Sequence, residues 1–341
     1  MLIVRHLTEM PSAARGCVAA LGSFDGFHRG HQTVIGEAGR LARHMGVPLA
    51  VITTEPHPRQ FFQQGRPPFR LTPFRERSQL LETFGVDVLG VLSFDAGLAG
   101  MAAQDFVLDV LLDGFGALHL VAGFDYRFGK GRGGGVDVLR WMGEQEGFGV
   151  SVIEPVVVGV EGAAGQVYSS TLVREALRAG QARRAAALLG HWWGISGRVV
   201  RGDQRGRTIG FPTANMELGD SLQPALGVYA VRAVLDEDAG AAGRVIAGVA
   251  NLGRRPTFDK HDVLLEVHLF DFDEALYDRH LRVELVGFIR PERKFDGLNA
   301  LKAQIAEDAA TARLLLADPE NARDRLPPPT LDSYLDGHLD G

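Results

Sequence analysis

"CVAALGSFDGFHRGHQTVIGEAGRLARHM" (residues 17–45) changes its period half-way along. Cys17–Asp25 is a nearly continuous apolar run, the pattern of a strand buried on both faces. From His31 onward, Ile35, Ala38, Leu41, Ala42 and Met45 fall on one helical face. A glycine-flanked turn, Gly22 to His31, joins the two. Strand, turn and helix in that order open a βαβ unit, so a parallel sheet is expected.

The same alternation runs on. Apolar runs recur at "LAVITT" (49–54), "VDVLGVLSF" (86–94), "LHLVAGFD" (118–125) and "VSVIEPVVV" (150–158). Helical patterns lie between them, at "PFRERSQLLETFG" (73–85) and "AAQDFVLDVLLDGF" (102–115). The first of these starts at a proline and stops at a glycine, as helices often do. The N-terminal part is therefore expected to be a doubly wound parallel α/β domain.

Residues 170–190 still read as helix, and then the pattern changes. "GISGRVVRGD", "GVYAVRAVLDE", "RVIAGVANLG", "LLEVHLFDF" and "HLRVELVGFIR" are strand-like, with turns and no helices between them. A small antiparallel β-barrel is expected there. A terminal helix follows at 297–316, with Leu298, Leu301 and Ile305 on one face. The expected domains are 1–190 and 191–316, with a loosely ordered tail at 317–341. No internal repeat is visible.

The chain has 341 residues, more than one compact core usually accommodates. Its net charge of −6 gives no basic field to hold nucleic acid. Cys17 is the single cysteine, which excludes an intrachain disulfide and a cysteine-rich zinc site. No signal peptide is seen, and no apolar run approaches the ~20 residues of a membrane-spanning helix. The expected location is the cytoplasm, with no membrane partner.

The first turn carries His28 and His31 at a helix entrance. In an open α/β sheet, ligands bind at the carboxyl ends of strands. Exposed N–H groups and the helix dipole favour a phosphate there, and Gly22 and Gly26 let the backbone come close. Two alternatives stand beside this. The pair could be part of a metal site, with His57 the nearest further ligand, or two inert histidines.

The pattern of "HRGH" after a first strand, with "SSTLVREAL" (169–177) much later, resembles the nucleotidylyltransferase superfamily. The resemblance implies that Gly22, Phe24, Asp25, Gly26, Ser170 and Thr171 bind the nucleotide. It also implies that His28, His31 and Arg174 act on the phosphates of ATP. "TEPHPRQFF" (54–62), "RLTPFRERSQLLETFGVD" (70–87) and "AGFDYRFGKGRGGGVDVL" (122–139) resemble the flavin-specific branch, which puts Asp125 beside the flavin. "GKGRGGG" lacks the Lys-Ser/Thr ending of a P-loop. Ser23 and Gly135 depart from the pattern, where many relatives have Asn and Asp.

"GRVVRGDQRGRTIGFPTAN" (197–215) closely resembles the signature of riboflavin kinases. Gly202, Gly206 and Gly210 make a loop whose N–H groups can cradle a phosphate. Thr213 and Asn215 offer neutral oxygens, suited to a Mg²⁺ that arrives with ATP. Glu266, which shares a strand face with His268 and Phe270, matches the family's catalytic glutamate, and Arg290 is a candidate flavin contact.

Taken together, residues 15–316 resemble the bacterial bifunctional riboflavin kinase and FMN adenylyltransferase family. This implies phosphorylation of riboflavin to FMN, then adenylylation of FMN to FAD and pyrophosphate, with ATP as co-substrate and Mg²⁺ as cofactor. A single-activity enzyme and a flavin-binding regulator without turnover are the rival readings.

Overall fold

The computed structural model describes residues 1–63, 65, 67–159, 164–201, 210–235, 243–254 and 263–337. The chain packs as two compact units. The first comprises Met1–Pro67, Phe74–Ser169 and Pro328–Gly341; the second comprises Pro68–Pro73 and Ser170–Pro327.

The first unit holds a six-stranded parallel sheet in the order β1-β4-β3-β2-β5-β6. The strands are β1 (Leu2–Val4), β2 (Val18–Leu21), β3 (Leu49–Glu55), β4 (Val88–Ser93), β5 (His119–Gly123) and β6 (Gly149–Ile153). Along β2 the residues alternate between two cores. Val18 and Ala20 belong to one hydrophobic cluster, Ala19 and Leu21 to another. Both faces are covered, which is why the strand reads as an unbroken apolar run. β1 is an edge strand that the apolar-run pattern did not single out, because three residues are too few to show a period.

Between the strands lie α1 (Arg29–Met45), α2 (Pro58–Phe62), α3 (Phe74–Phe84), α4 (Ala96–Gly100), α5 (Ala103–Asp105) and α6 (Val136–Glu146). A π-helical stretch, Phe106–Leu112, continues α5. On α1, Ile35, Ala38 and Ala42 are buried as expected, whereas Met45 at its end is exposed. Strand order reverses at β2, which has β3 on one side and β5 on the other. The turn after β2 thus sits at the switch point, where such sheets bind ligands.

The second unit opens with α7 (Ser170–Arg178) and α8 (Ala182–Leu189). Its six-stranded antiparallel sheet runs β7-β12-β9-β10-β11-β8. The strands are β7 (Gly194–Arg198), β8 (Ala214–Glu217), β9 (Gly227–Leu235), β10 (Arg244–Arg254), β11 (Val263–Leu269) and β12 (His280–Arg290). A bridge from Val200 to Asn215 links the segment after β7 to β8, so the sheet nearly closes into a barrel. Helix α9 (Leu298–Ala317) packs on β9, β10 and β12.

The compact units divide at Ser169–Ser170, and α8 packs on β12 through a cluster of Ala186, Trp192 and Val286. Two expectations differ from what is found. The buried positions of α9 are Asp308 and Ala312, flanked by Leu315 and Leu316, while Leu298 is exposed. The stretch after residue 316 is not a loose tail up to Gly337. It forms 3-10 turns at Pro319–Asn321 and Arg323–Arg325 and a short helix, α10 (Leu331–Leu335). Thr330 caps α10, and Leu331 is buried against the core around α1.

Candidate active sites

The turn after β2 is built from buried residues in unusual conformations. Phe24 and Phe27 have φ of 49° and 48°, and both rings are buried. A left-handed residue costs about 1–2 kcal/mol, and burying a phenylalanine recovers about 1.5–3 kcal/mol, so packing holds the turn. Gly26 takes φ 91°, where a side chain would add strain. Phe24 packs edge-on against His31, and Phe27 against Phe84 of α3.

His28 is the N-cap of α1, and its Nδ1 accepts from the His31 N–H at 3.3 Å. In the neutral ring that leaves the proton on Nε2. The rings of His28 and His31 stack with centroids 3.6 Å apart. Gly30 stands where a Cβ would lie 3.3 Å from both His28 and Tyr168. The buried Asp25 completes the turn. The arrangement sets two imidazole rings at a helix N-terminus, an environment that favours a phosphate.

The metal alternative finds no support. His57 caps α2, its Nδ1 accepting from Arg59 N–H at 3.0 Å. Among the described residues no group of three or more His, Cys, Asp or Glu could hold a metal ion.

Asp125 is exposed just beyond β5, on the other side of the switch point. The glycine-rich loop after it is closed by paired backbone bonds between Phe128 and Gly134. Gly135 is the N-cap of α6, and the Arg127 guanidinium lies where a Cβ would stand. That is the room this chain's glycine makes. Ser170 and Thr171 begin α7, as expected. One turn in, Arg174 donates from Nε to the Phe69 carbonyl at 2.9 Å and lies over the Phe69 ring. These residues belong to the second unit, and His28 and His31 to the first.

In the barrel, Asn215 and Glu266 are Cα partners across β8 and β11, and Asn251 of β10 is the next partner of Glu266. Glu266 is exposed, as a group that meets a substrate must be. The Asn215 side chain is buried, and its Oδ1 has no hydrogen-bond partner among the described residues. Thr213, half-buried, lies two residues before it, and Gly210 opens the turn at φ 88°. Gly202 and Gly206 lie outside the described residues. Burial and the nearby Glu266 charge hold the Glu292 carboxyl above the usual carboxylate range, against the opposing pull of Arg254.

Arg290 is held by α9 and its own strand end. Its Nε and Nη2 donate to the Asp308 carboxylate at 2.9 and 2.7 Å, and Nη1 to the Pro291 carbonyl at 3.1 Å. Asp308 is buried, so the guanidinium is committed to anchoring α9 on the barrel.

Residues 10–170 match the FAD synthetase family model, and residues 189–316 match the riboflavin kinase model. A bifunctional riboflavin kinase/FMN adenylyltransferase of Escherichia coli (strain K12) is 40% identical over 314 residues, covering 92% of this chain and 97% of that one. The chain belongs to the bifunctional riboflavin kinase/FMN adenylyltransferase family. A second member, from Bacillus subtilis (strain 168), is 38% identical over 303 residues, covering 86% of this chain and 91% of its own. A crystal structure described as a macrolide-efflux protein from Streptococcus pneumoniae has the same fold. Its TM-score is 0.79 at 30% identity, over 92% of this chain and 98% of that one. Among the described residues, no helix here is long and apolar enough to cross a membrane.

Two supports for the family's motifs were not visible in the sequence. His268, two residues after Glu266, meets the Pro212 carbonyl through Nδ1 at 2.9 Å and packs edge-on to Phe211. It thereby anchors the "GFPTAN" turn to β11; strand alternation put it on the right face but could not name its partner. The second support is Arg77 of α3, which bonds the first turn at Ser23.

Proposed function

We propose that the barrel phosphorylates the ribityl 5′-hydroxyl of riboflavin with ATP, giving FMN. The α/β part then transfers AMP from a second ATP to the FMN phosphate, giving FAD and pyrophosphate. The reading is carried by one observation in each half: Asn215 paired with Glu266, and His28 stacked on His31 at a helix N-terminus.

In the kinase step Glu266 accepts or orients the proton of the attacking hydroxyl. The buried Oδ1 of Asn215, without a hydrogen-bond partner among the described residues, and Thr213 two residues before it fit a hard cation that prefers neutral and phosphate oxygens. Those two residues would hold Mg²⁺, which when bound neutralises phosphate charge. In the adenylyl step no covalent enzyme intermediate is needed. Positioning and charge stabilisation do most of the work. His28 and His31 stabilise the α-phosphate as its charge shifts. Ser170, Thr171 and Arg174 hold the departing pyrophosphate. Asp125, exposed just after β5, contacts the flavin in this reading. The supply of ATP and of free flavin fits action in the cytoplasm.

A timed chromatographic assay of riboflavin, FMN and FAD with MgATP tests the reading. FMN should appear first and FAD after it, with ADP and pyrophosphate released. A protein that binds flavin and releases neither, or that makes only one product, would overturn it.

A further inference from the structure

We infer that Arg77 is a positioning residue for adenylyl transfer, holding the phosphate turn in place through the Ser23 carbonyl; this rests on the function proposed for that turn. Arg77 lies on α3 and is fully buried, at 0% exposure. It has no surface to offer a substrate, so any effect on the reaction passes through its partners. Its Nη1 donates to the Ser23 carbonyl at 2.9 Å. Its Nη2 is ion-paired with Glu55, the last residue of β3.

A buried guanidinium is costly unless its donors are satisfied and its charge is paired. Here the charge is met by Glu55 and a donor is spent on the turn. The guanidinium fork is planar and rigid. It therefore sets the distance from the carboxyl end of β3 to the turn that follows the neighbouring strand β2. That turn contains two left-handed phenylalanines held by packing and leads into His28, and the arginine adds a second hold on its backbone. The tether grips a backbone carbonyl, which every residue at position 23 supplies. The Ser that stands where many relatives have Asn is thus compatible with the same hold.

The test uses the full-length protein, R77M and R77K, each assayed for FAD from FMN and MgATP and for FMN from riboflavin. R77M should lower the FAD-forming kcat about 100-fold, the order that a misplacement of roughly 1 Å costs. R77K keeps the charge but not the fork, and should lower it about tenfold. The KM for ATP should move by less than about threefold, and FMN formation should stay within about twofold, the split that loss of a transition-state contact alone produces. An unmutated protein that makes FMN but no FAD overturns the functional reading of the turn. If the unmutated protein makes FAD, the inference alone fails on either of two results: R77M or R77K with the parental kcat, or parallel loss of both activities in both variants. Should R77M not accumulate as folded protein, R77K decides by the same criteria.

Discussion

Asn215 on β8 stands directly opposite Glu266 on β11, one rung of an antiparallel ladder. Such pairs place their Cβ atoms about 4.5–5.5 Å apart, so the Asn215 amide and the Glu266 carboxylate share one patch of the barrel. Glu266→Gln keeps the size and removes the base. FMN formation should fall about 10²–10⁴-fold, the usual contribution of a general base, while FAD formation from added FMN is unchanged. Asn215→Ala should instead raise the Mg²⁺ concentration needed for half-maximal FMN formation. Glu266→Gln that loses both products together would contradict the separation of sites.

His28→Ala removes both a ring donor and the N-cap acceptor for His31 N–H. The expected result is a loss of about 10²–10³ in FAD formation, the order of one oxyanion donor, with riboflavin phosphorylation spared. The cap itself is worth about 1 kcal/mol. His28→Asn restores that cap without the ring, so it should recover thermal stability but not FAD formation. Recovery of both in His28→Asn would assign His28 a structural role only.

Much of this was legible in the sequence because it is local. The change from an unbroken apolar run to a period of 3.6 within residues 17–45 marks a buried strand followed by a helix. The motifs carrying His28, Arg174, Asn215 and Glu266 are contiguous strings. What was hidden is non-local. Register decides that Asn215 faces Glu266, and no short window shows register. A buried arginine in "RERSQ" reads like a surface charge until Glu55 and Ser23 are seen around it. On α9 the face through Leu301 and Ile305 continues to Asp308 and Ala312, and only its first residue, Leu298, is exposed. Asp308 counts as polar in any periodicity, yet Arg290 makes it the most deeply placed acid of that helix.

The buried Cys17 predicts a pH effect. Burial pushes its thiol from 9.0 up to about 11, against a smaller opposing backbone bond. The folded state therefore prefers the neutral thiol. The stability this confers is complete below the unfolded thiol's range and is lost as pH rises through about 11. Denaturant midpoints of the parent should fall between pH 8.5 and 10.5, roughly the interval bracketing an ordinary thiol pKa, more steeply than those of Cys17→Ala. The native thiol should also resist alkylation until the protein unfolds. Parallel pH profiles for the two proteins would refute the assignment.

The last expectation concerns α10, which lies beyond the matched kinase region ending at residue 316. Its Tyr334 and Leu331 fill two notches that α1 leaves at Gly36 and Gly39. A Cβ at Gly36 would lie 2.5 Å from Tyr334 ring carbons, and one at Gly39 would lie 2.5 Å from Leu331 Cδ1. An ion pair from Arg43 to Asp332 at 2.6 Å lies on the same contact. Glycine inside a helix costs about 1 kcal/mol relative to alanine, so these glycines weaken α1 unless α10 covers them. Gly36→Ala therefore carries opposite signs in two backgrounds. In the full chain the new methyl meets the ring near its Cγ, the stiff end of the side chain, and the first unit should lose stability. In a chain ending at Pro327 nothing opposes the methyl, and the same change should stabilise by up to about 1 kcal/mol. Urea unfolding of the four proteins measures both signs. Equal effects in the two backgrounds would mean that α10 does not occupy the groove in solution.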